Sequence, residues 1–303
     1  MRELQKLFKN LYVRVAYRIL PYVSAKSFVS LRYELSHGRK LNWDHPQDID
    51  EKINWLKFNA DTTAWVRLAD KYAVREYVAE KGFGDMLVPL LGKWDSVEEI
   101  DWDSLPTQFV MKVNNGSGDV MVCTDKDSIN RDEWNHYFNK MLHTKFGNQM
   151  GEPHYNKIRP CILAEELLDA TKQDIPSTSL VDYKIWSFDG KPAYVWVCYN
   201  RTKHSTDVAV YDLDWNFHPE FSVSCPHYVL KHEPLPRPKS LDRMLEAASA
   251  LTQGFPEVRF DCDEVDGKAY FGEMTFSAAA GFNYFYTQEF LNKLGSLTLL
   301  SNS

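Results

Sequence analysis

The chain of 303 residues is most informative at first for what it lacks. Its five cysteines, Cys123, Cys161, Cys198, Cys225 and Cys262, are odd in number and widely spaced, with no C-x-x-C pair. That disfavours both a disulfide framework and a zinc ribbon, and reduced, buried thiols in a cytoplasmic setting are expected. No apolar run is long enough to span a bilayer, and no signal-peptide core precedes a small-residue cleavage site. There is no G-x-x-x-x-G-K-[ST] phosphate loop and no convincing Ser or Cys triad. The net charge is −7, so the uniformly basic footprint of a nucleic-acid binder is missing, and no nucleic-acid partner is expected.

What is present is unevenly distributed. Residues 1–43 carry nine Lys/Arg against two Glu, which leaves −14 for the remainder. Within residues 1–20, Leu4, Leu7, Phe8, Leu11, Val15 and Ile19 recur at helical spacing, with Arg2, Lys6, Lys9, Arg14 and Arg18 beside them. Such a helix has two destinations: an anionic membrane surface, or the protein's own core. A helix over Asp50–Phe58 follows, then a second from about Thr63 to Lys81, on which Lys71 and Arg75 share a face at i, i+4. Residues 130–146 read as a helix, 147–157 as a mobile polar loop, and 240–254 as a helix capped by Ser240.

The stretch Phe109-Val110-Met111-Lys112-Val113-Asn114-Asn115-Gly116-Ser117-Gly118-Asp119-Val120-Met121-Val122 reads as strand, flexible turn, strand. The glycines let backbone N–H groups close around an anion, and Lys112 adds a fixed positive charge beside the loop. Downstream, Cys161–Leu168 is an apolar strand ending in Glu165-Glu166. Asp189-Gly190 joins two β-rich runs, and Asp182 and Lys184 share one face of the first. A last hairpin turns at Asp266-Gly267 and carries Arg259-x-Asp261 on one arm and Glu273-x-Thr275 on the other. Two carboxylates on adjacent strands suit Mg²⁺ shared with phosphate oxygens, and a neighbouring arginine suits a transferring phosphoryl group.

In this order the segments Ala69-Asp70-Lys71-Tyr72, Phe109–Lys112, Ala164-Glu165-Glu166, Asp182-Tyr183-Lys184 and Phe271-Gly272-Glu273-Met274-Thr275-Phe276 resemble the ATP-grasp superfamily. Over about residues 48–282 the chain is similar to its TupA-like branch, associated with teichuronopeptide and capsular polysaccharide biosynthesis. The resemblance implies an α+β fold in which two lobes with antiparallel sheets clamp ATP, preceded by a basic helical N-terminal segment. It implies a basic segment at 1–43, a short helical lead-in at 44–105, a small lobe at 106–166, a large lobe at 167–290 and a tail at 291–303. It also implies roles for individual residues. Lys71 and Lys112 would contact the phosphates under the loop Asn115, Gly116, Ser117 and Gly118. Glu165 and the backbone of Glu166 to Leu168 would meet adenine, Asp182 the ribose, and Lys184 the same cleft. Arg259 would steady the γ-phosphate, with Asp261, Glu273 and Thr275 at the metal. Many members of the superfamily have Asn where Thr275 stands, and Ser277 or Asn283 are candidates to replace it.

The implied activity is an ATP- and Mg²⁺-dependent carboxylate–amine ligase working through an acyl phosphate. Its substrates would be a small-molecule or lipid-linked sugar acid and an amine or amino acid, handled in the cytoplasm or at the inner face of the membrane. Two other classes fit less of the pattern. A metal-dependent glycosyltransferase would use an Asp-x-Asp loop, which Asp101-Trp102-Asp103, Asp212-Leu213-Asp214 and Asp261-Cys262-Asp263 all match, but it has no role for the lysine–glycine hairpin. A non-catalytic nucleotide- or membrane-binding scaffold is favoured by Thr275 alone.

Overall fold

The computed structural model describes residues 2–118 and 120–300, with the backbone alone for 2–12. The side chains of Arg2, Leu4, Lys6, Leu7, Phe8, Lys9 and Leu11, and the whole of Asp119, therefore lie outside the described part. Helices come first: α1 (Arg2–Val23), α2 (Ala25–His37), α3 (Ile49–Asn59), α4 (Thr63–Leu68) and α5 (Val74–Glu80). Ser24 caps α2 and Asp48 caps α3, each accepting a hydrogen bond from the backbone N–H three residues on. The single helix expected over residues 63–81 is broken. Asp70 Oδ1 accepts from Tyr72 N at 2.8 Å and Ala73 N at 3.2 Å, a local turn that competes with helical bonding. Lys71 thus sits in the turn, not one helical turn before Arg75.

A four-stranded antiparallel sheet follows, built from β1 (Leu90–Trp94), β2 (Phe109–Val113), β3 (Val120–Cys123) and β4 (Ile162–Glu165) in the order β1-β4-β2-β3. It takes β1 from the 44–105 stretch that precedes the hairpin. On β2, Phe109, Met111 and Val113 are buried while Val110 and Lys112 alternate with them toward the other face. Between β3 and β4 lie α6 (Arg131–Leu142) and α7 (Phe146–Met150), and α6 packs Trp134 and Phe138 against Phe109 and Met111. The polar segment 147–157 is not a loose loop. It forms most of α7 and a 3₁₀ turn over Pro153–Lys157, with Gly147, His154 and Tyr155 buried.

The second sheet has β5 (Asp182–Phe188), β6 (Lys191–Tyr199), β7 (Thr206–Tyr211), β8 (Tyr228–Leu230), β9 (Val258–Val265) and β10 (Lys268–Thr275) in the order β10-β9-β5-β6-β7-β8. All neighbours are antiparallel except β7 and β8. Helix α8 (Leu241–Leu251) lays Leu241, Met244, Ala248 and Leu251 over one face, against Ile185, Val195, Val197 and Phe260. Ser240 does not cap α8 through its side chain; Glu264 accepts Ser240 N at 2.6 Å and Lys239 N at 3.3 Å at that end. The opposite face carries Trp186, Trp196, Cys198, Val208 and Val210 beneath Ile49 and Ile53 of α3 and beneath α9 (Gln288–Leu297). Helix α9 buries Phe290, and Leu291 and Leu294 beyond it, in this core. The remainder of that second face, toward the small sheet, is polar.

Candidate active site

The polar end of the large sheet is set by strand register. Lys184 on β5 and Glu273 on β10 both pair with Asp261 on β9, and Thr275 pairs with Arg259. A bulge between Phe271 and Glu273 inserts Gly272, where a Cβ would stand 3.0 Å from the Asp261 carbonyl oxygen. The bulge brings two acids level across adjacent strands, and the close approach requires the missing side chain.

Charges then interlock. Arg259 donates to both oxygens of Asp261, Nε to Oδ1 and Nη2 to Oδ2, each at 2.7 Å. Lys184 Nζ donates to Asp261 Oδ2 at 2.7 Å. Glu273 lies 3.4 Å from Lys71 Nζ and accepts from Thr275 Oγ1 at 3.1 Å. Burial opposes ionisation of Glu273, but Lys71, Lys184 and Arg259, with the Thr275 hydroxyl, outweigh it and hold its pKa down to about 2. Burial likewise opposes the charge on Lys184, and Asp182 and Asp261 raise its pKa against it. Asp182 is also paired with Arg201 and stands opposite Asp263 in the register, whose carboxyl is pushed up by burial and then by Asp182.

The small sheet supplies the facing wall. Glu165 binds Arg75 Nη1 at 3.0 Å through Oε1 and Lys112 Nζ at 2.5 Å through Oε2. Arg75 Nη2 also donates to the Val88 carbonyl at 2.7 Å. Lys71 Nζ donates to the Gly116 carbonyl at 2.5 Å, tying the glycine loop to Glu273 on the other lobe. Beside that loop the buried Asn114 donates to Asp70 Oδ1 and the Arg159 carbonyl and accepts from Cys161 N at 2.8 Å. Together these walls enclose a cleft of about 310 Å³. Val88, Val110, Val120, Leu168, Leu180 and Phe271 give it an apolar side suited to a planar base.

Of the residues singled out in the sequence, Lys71, Lys112, Glu165, Glu166, Leu168, Asp182, Lys184, Asp261 and Glu273 line this cleft. Arg259 and Thr275 lie behind it, both buried and bonded to the acids in front. Gly116 reaches it through its carbonyl, whereas Asn115 lines a different pocket. The Glu166 N–H is already given to the Pro89 carbonyl at 3.1 Å, so it is not an adenine donor here. Neither Ser277 nor Asn283 lines the cleft; Ser277 donates to Glu152 at 2.5 Å and Asn283 Nδ2 donates to Asp50 at 2.6 Å. Of the three Asp-x-Asp pairs only Asp261 and Asp263 line the cleft; Asp101, Asp103 and Asp214 are exposed. Arg75, Arg201, Asn114 and Asp263 were not anticipated as site residues. Alternation along β9 places Asp263 with Asp261, a signal the sequence did contain.

No group of three or more His, Cys, Asp or Glu among the described residues forms a self-sufficient metal cage. Two carboxylates with Glu273 held ionised do fit Mg²⁺, which binds through one or two protein acids plus phosphate oxygens and water.

Two antiparallel lobes closing on a cleft, with lysines from one and interlocked acids and arginine from the other, define an ATP-grasp fold. Residues 51–299 match the TupA-like ATP-grasp family, and the chain belongs to it. Among solved structures, it is similar to D-alanine–D-alanine ligase from Bacillus anthracis complexed with ATP, at 17% identity and TM-score 0.41, covering 77% of this chain and 65% of that one. It is also similar to D-alanine–D-alanine ligase from Helicobacter pylori, at 12% identity and TM-score 0.39, covering 82% of this chain and 62% of that one. The ATP-grasp ligase PsnB complexed with its precursor peptide and AMPPNP gives 11% identity and TM-score 0.39, with 83% and 66% covered. The chain thus spans about two-thirds of the length of these structures. No curated protein matches it.

Proposed function

We propose that the chain is a Mg²⁺- and ATP-dependent carboxylate–amine ligase that joins a sugar acid, a uronic acid, to an amine or amino acid in surface-polysaccharide assembly. The observation that carries the ligase reading is the lock of Arg259, Asp261, Lys184 and Glu273 facing Lys112 and Lys71 across one cleft. A carboxylate resists attack by an amine because attack adds charge to an anion. In the proposed reaction its oxygen bonds to the γ-phosphorus of ATP, and ADP leaves. The amine nitrogen then attacks the acyl carbon, expels inorganic phosphate and loses its proton. Lys71 and Lys112 would neutralise phosphate charge, with Arg259 holding Asp261 from behind, and the loop from Gly116 to Gly118 would cover the phosphates. Asp261 and Glu273 would hold Mg²⁺, which when bound offsets phosphate charge, with Thr275 orienting Glu273. Glu165, Asp182 and Leu168 would face the nucleoside. The decisive assay is hydroxylamine trapping of an acyl phosphate from glucuronic acid and ATP; ATP-dependent hydroxamate supports the reading, and ADP release that no sugar acid stimulates opposes it.

Placement at an anionic membrane surface, where the acceptor would be lipid-linked, is supported by α1. The described part of its expected apolar stripe does not enter the core: Val15 and Ile19 are 47% and 51% exposed, and Tyr22 and Val23 64% and 74%. Arg14 and Arg18 are exposed on the same helix. No helix of the described residues is long and apolar enough to cross a membrane, so attachment would be peripheral.

A further inference from the structure

A second pocket, of about 280 Å³, borders the glycine loop at Asn115. Asn115 of that loop forms one wall, and Thr144, Lys145, Tyr155, Lys157 and Arg159 form much of the rest. Its charge is opposite to that of its surroundings. Residues 44–303 carry −14, yet no acid lines this pocket. Arg159 is tied to Asp95 at 2.6 Å, whereas Lys145 and Lys157 are exposed and in no ion pair among the described residues. Lys157 adds to the hydrogen bonds from Thr63 that lower the pKa of Asp61.

The pocket adjoins the reacting end of the cleft by two routes. Asn115 is one residue from Gly116, whose carbonyl is held by Lys71 beside Glu273. Tyr155, a wall of the pocket, is buried; burial raises its pKa first, and Glu152 and then Glu273 raise it further, so the cleft's acid lies within electrostatic reach. An acceptor whose carboxylate meets the γ-phosphate at the loop would therefore extend into this pocket.

We propose that the Lys145–Lys157 pocket is the acceptor subsite of the ligase, holding a second anionic group, a phosphate, of a sugar acid whose carboxylate meets the nucleotide. This rests on the nucleotide reading of the neighbouring cleft. The test titrates the full chain first with AMPPNP and Mg²⁺ and then, once saturated, with glucuronic acid 1-phosphate, glucuronic acid or glucose. Glucuronic acid 1-phosphate should bind saturably and about tenfold more tightly than glucuronic acid, and glucose should not bind. Lys145→Ala with Lys157→Ala should weaken binding of the phosphorylated sugar acid about tenfold while leaving AMPPNP affinity and melting temperature unchanged. Both lysines are exposed, so the variant keeps its core. Absence of binding by glucuronic acid 1-phosphate, equal binding of glucuronic acid or glucose, or equal affinity in the variant would overturn the subsite. Failure of AMPPNP itself to bind would show in the first titration, and would remove the nucleotide reading together with the subsite.

Discussion

Glu273 is the residue on which the cleft's electrostatics converge. Three cations and a hydroxyl hold it ionised against burial, with a pKa of about 2. Its unfolded counterpart titrates near roughly 4.3, so it stabilises the fold above that pH and loses the contribution as pH falls toward its folded value. Glu273→Gln removes the charge at constant shape and should reduce ATP turnover about a hundredfold or more, and it should also lower the melting temperature at neutral pH, where the carboxylate stabilises the fold. Near-normal turnover would take Glu273 out of the site. His154 gives an acid-side signature of a different kind. It is buried against Trp65, and burial, then Lys57 and Lys157, lower its pKa to about 3. The unfolded chain binds that proton from roughly pH 6.5 downward, so stability should fall on acidification from there to about 3, by up to ~1.4 kcal/mol per pH unit. His154→Leu should flatten that slope in denaturant titrations at several pH values. Retention of the full slope would assign it to other groups.

At the scale of elements, the strand alternation that put Asp182 and Lys184 on one cleft face was legible, because period-two patterning needs only neighbours in sequence, whereas Lys112, Asp261 and Glu273 were named from the order of motifs. What was not legible depends on distant partners. Helix α3 shows this: its polar positions Asp50, Asn54 and Lys57 are buried, not solvated. Lys57 Nζ donates to the Ala280 carbonyl at 2.8 Å, Asn54 Nδ2 to the Gly281 carbonyl at 2.9 Å, and Asp50 accepts from Asn283. These bonds hold the loop after β10, in which Ala279 and Ala280 adopt φ of 49° and 56°. Nothing within residues 50–58 announces partners more than two hundred positions away. The turn at Asp70 is a nearer miss, since an Asp can redirect backbone N–H groups two and three residues on. Gly281 has φ of 77°, and a Cβ there would lie 2.6 Å from Asn54 Nδ2. Gly281→Ala should therefore cost more than about 1 kcal/mol by chemical denaturation; a neutral effect would mean that the loop adapts freely.

For the whole molecule, the division of charge between residues 1–43 and the acidic remainder matches a division of labour. The large lobe holds the acids of the cleft, and α1 presents Arg14, Arg18, Val15 and Ile19 outward. Deleting residues 1–20 should lower binding to vesicles containing phosphatidylglycerol while nucleotide binding persists. An aggregated product would assign the stripe to packing, and a change of oligomeric state to contact between copies.

Whether two lobes grip a magnesium–nucleotide complex is decided by calorimetric titration of the full chain with ATP, with and without Mg²⁺. Saturable one-to-one binding is expected, tightened by Mg²⁺ in the wild type and weakened strongly by Lys112→Ala and by Glu273→Gln. Binding indifferent to Mg²⁺, or unchanged in both variants, would contradict it.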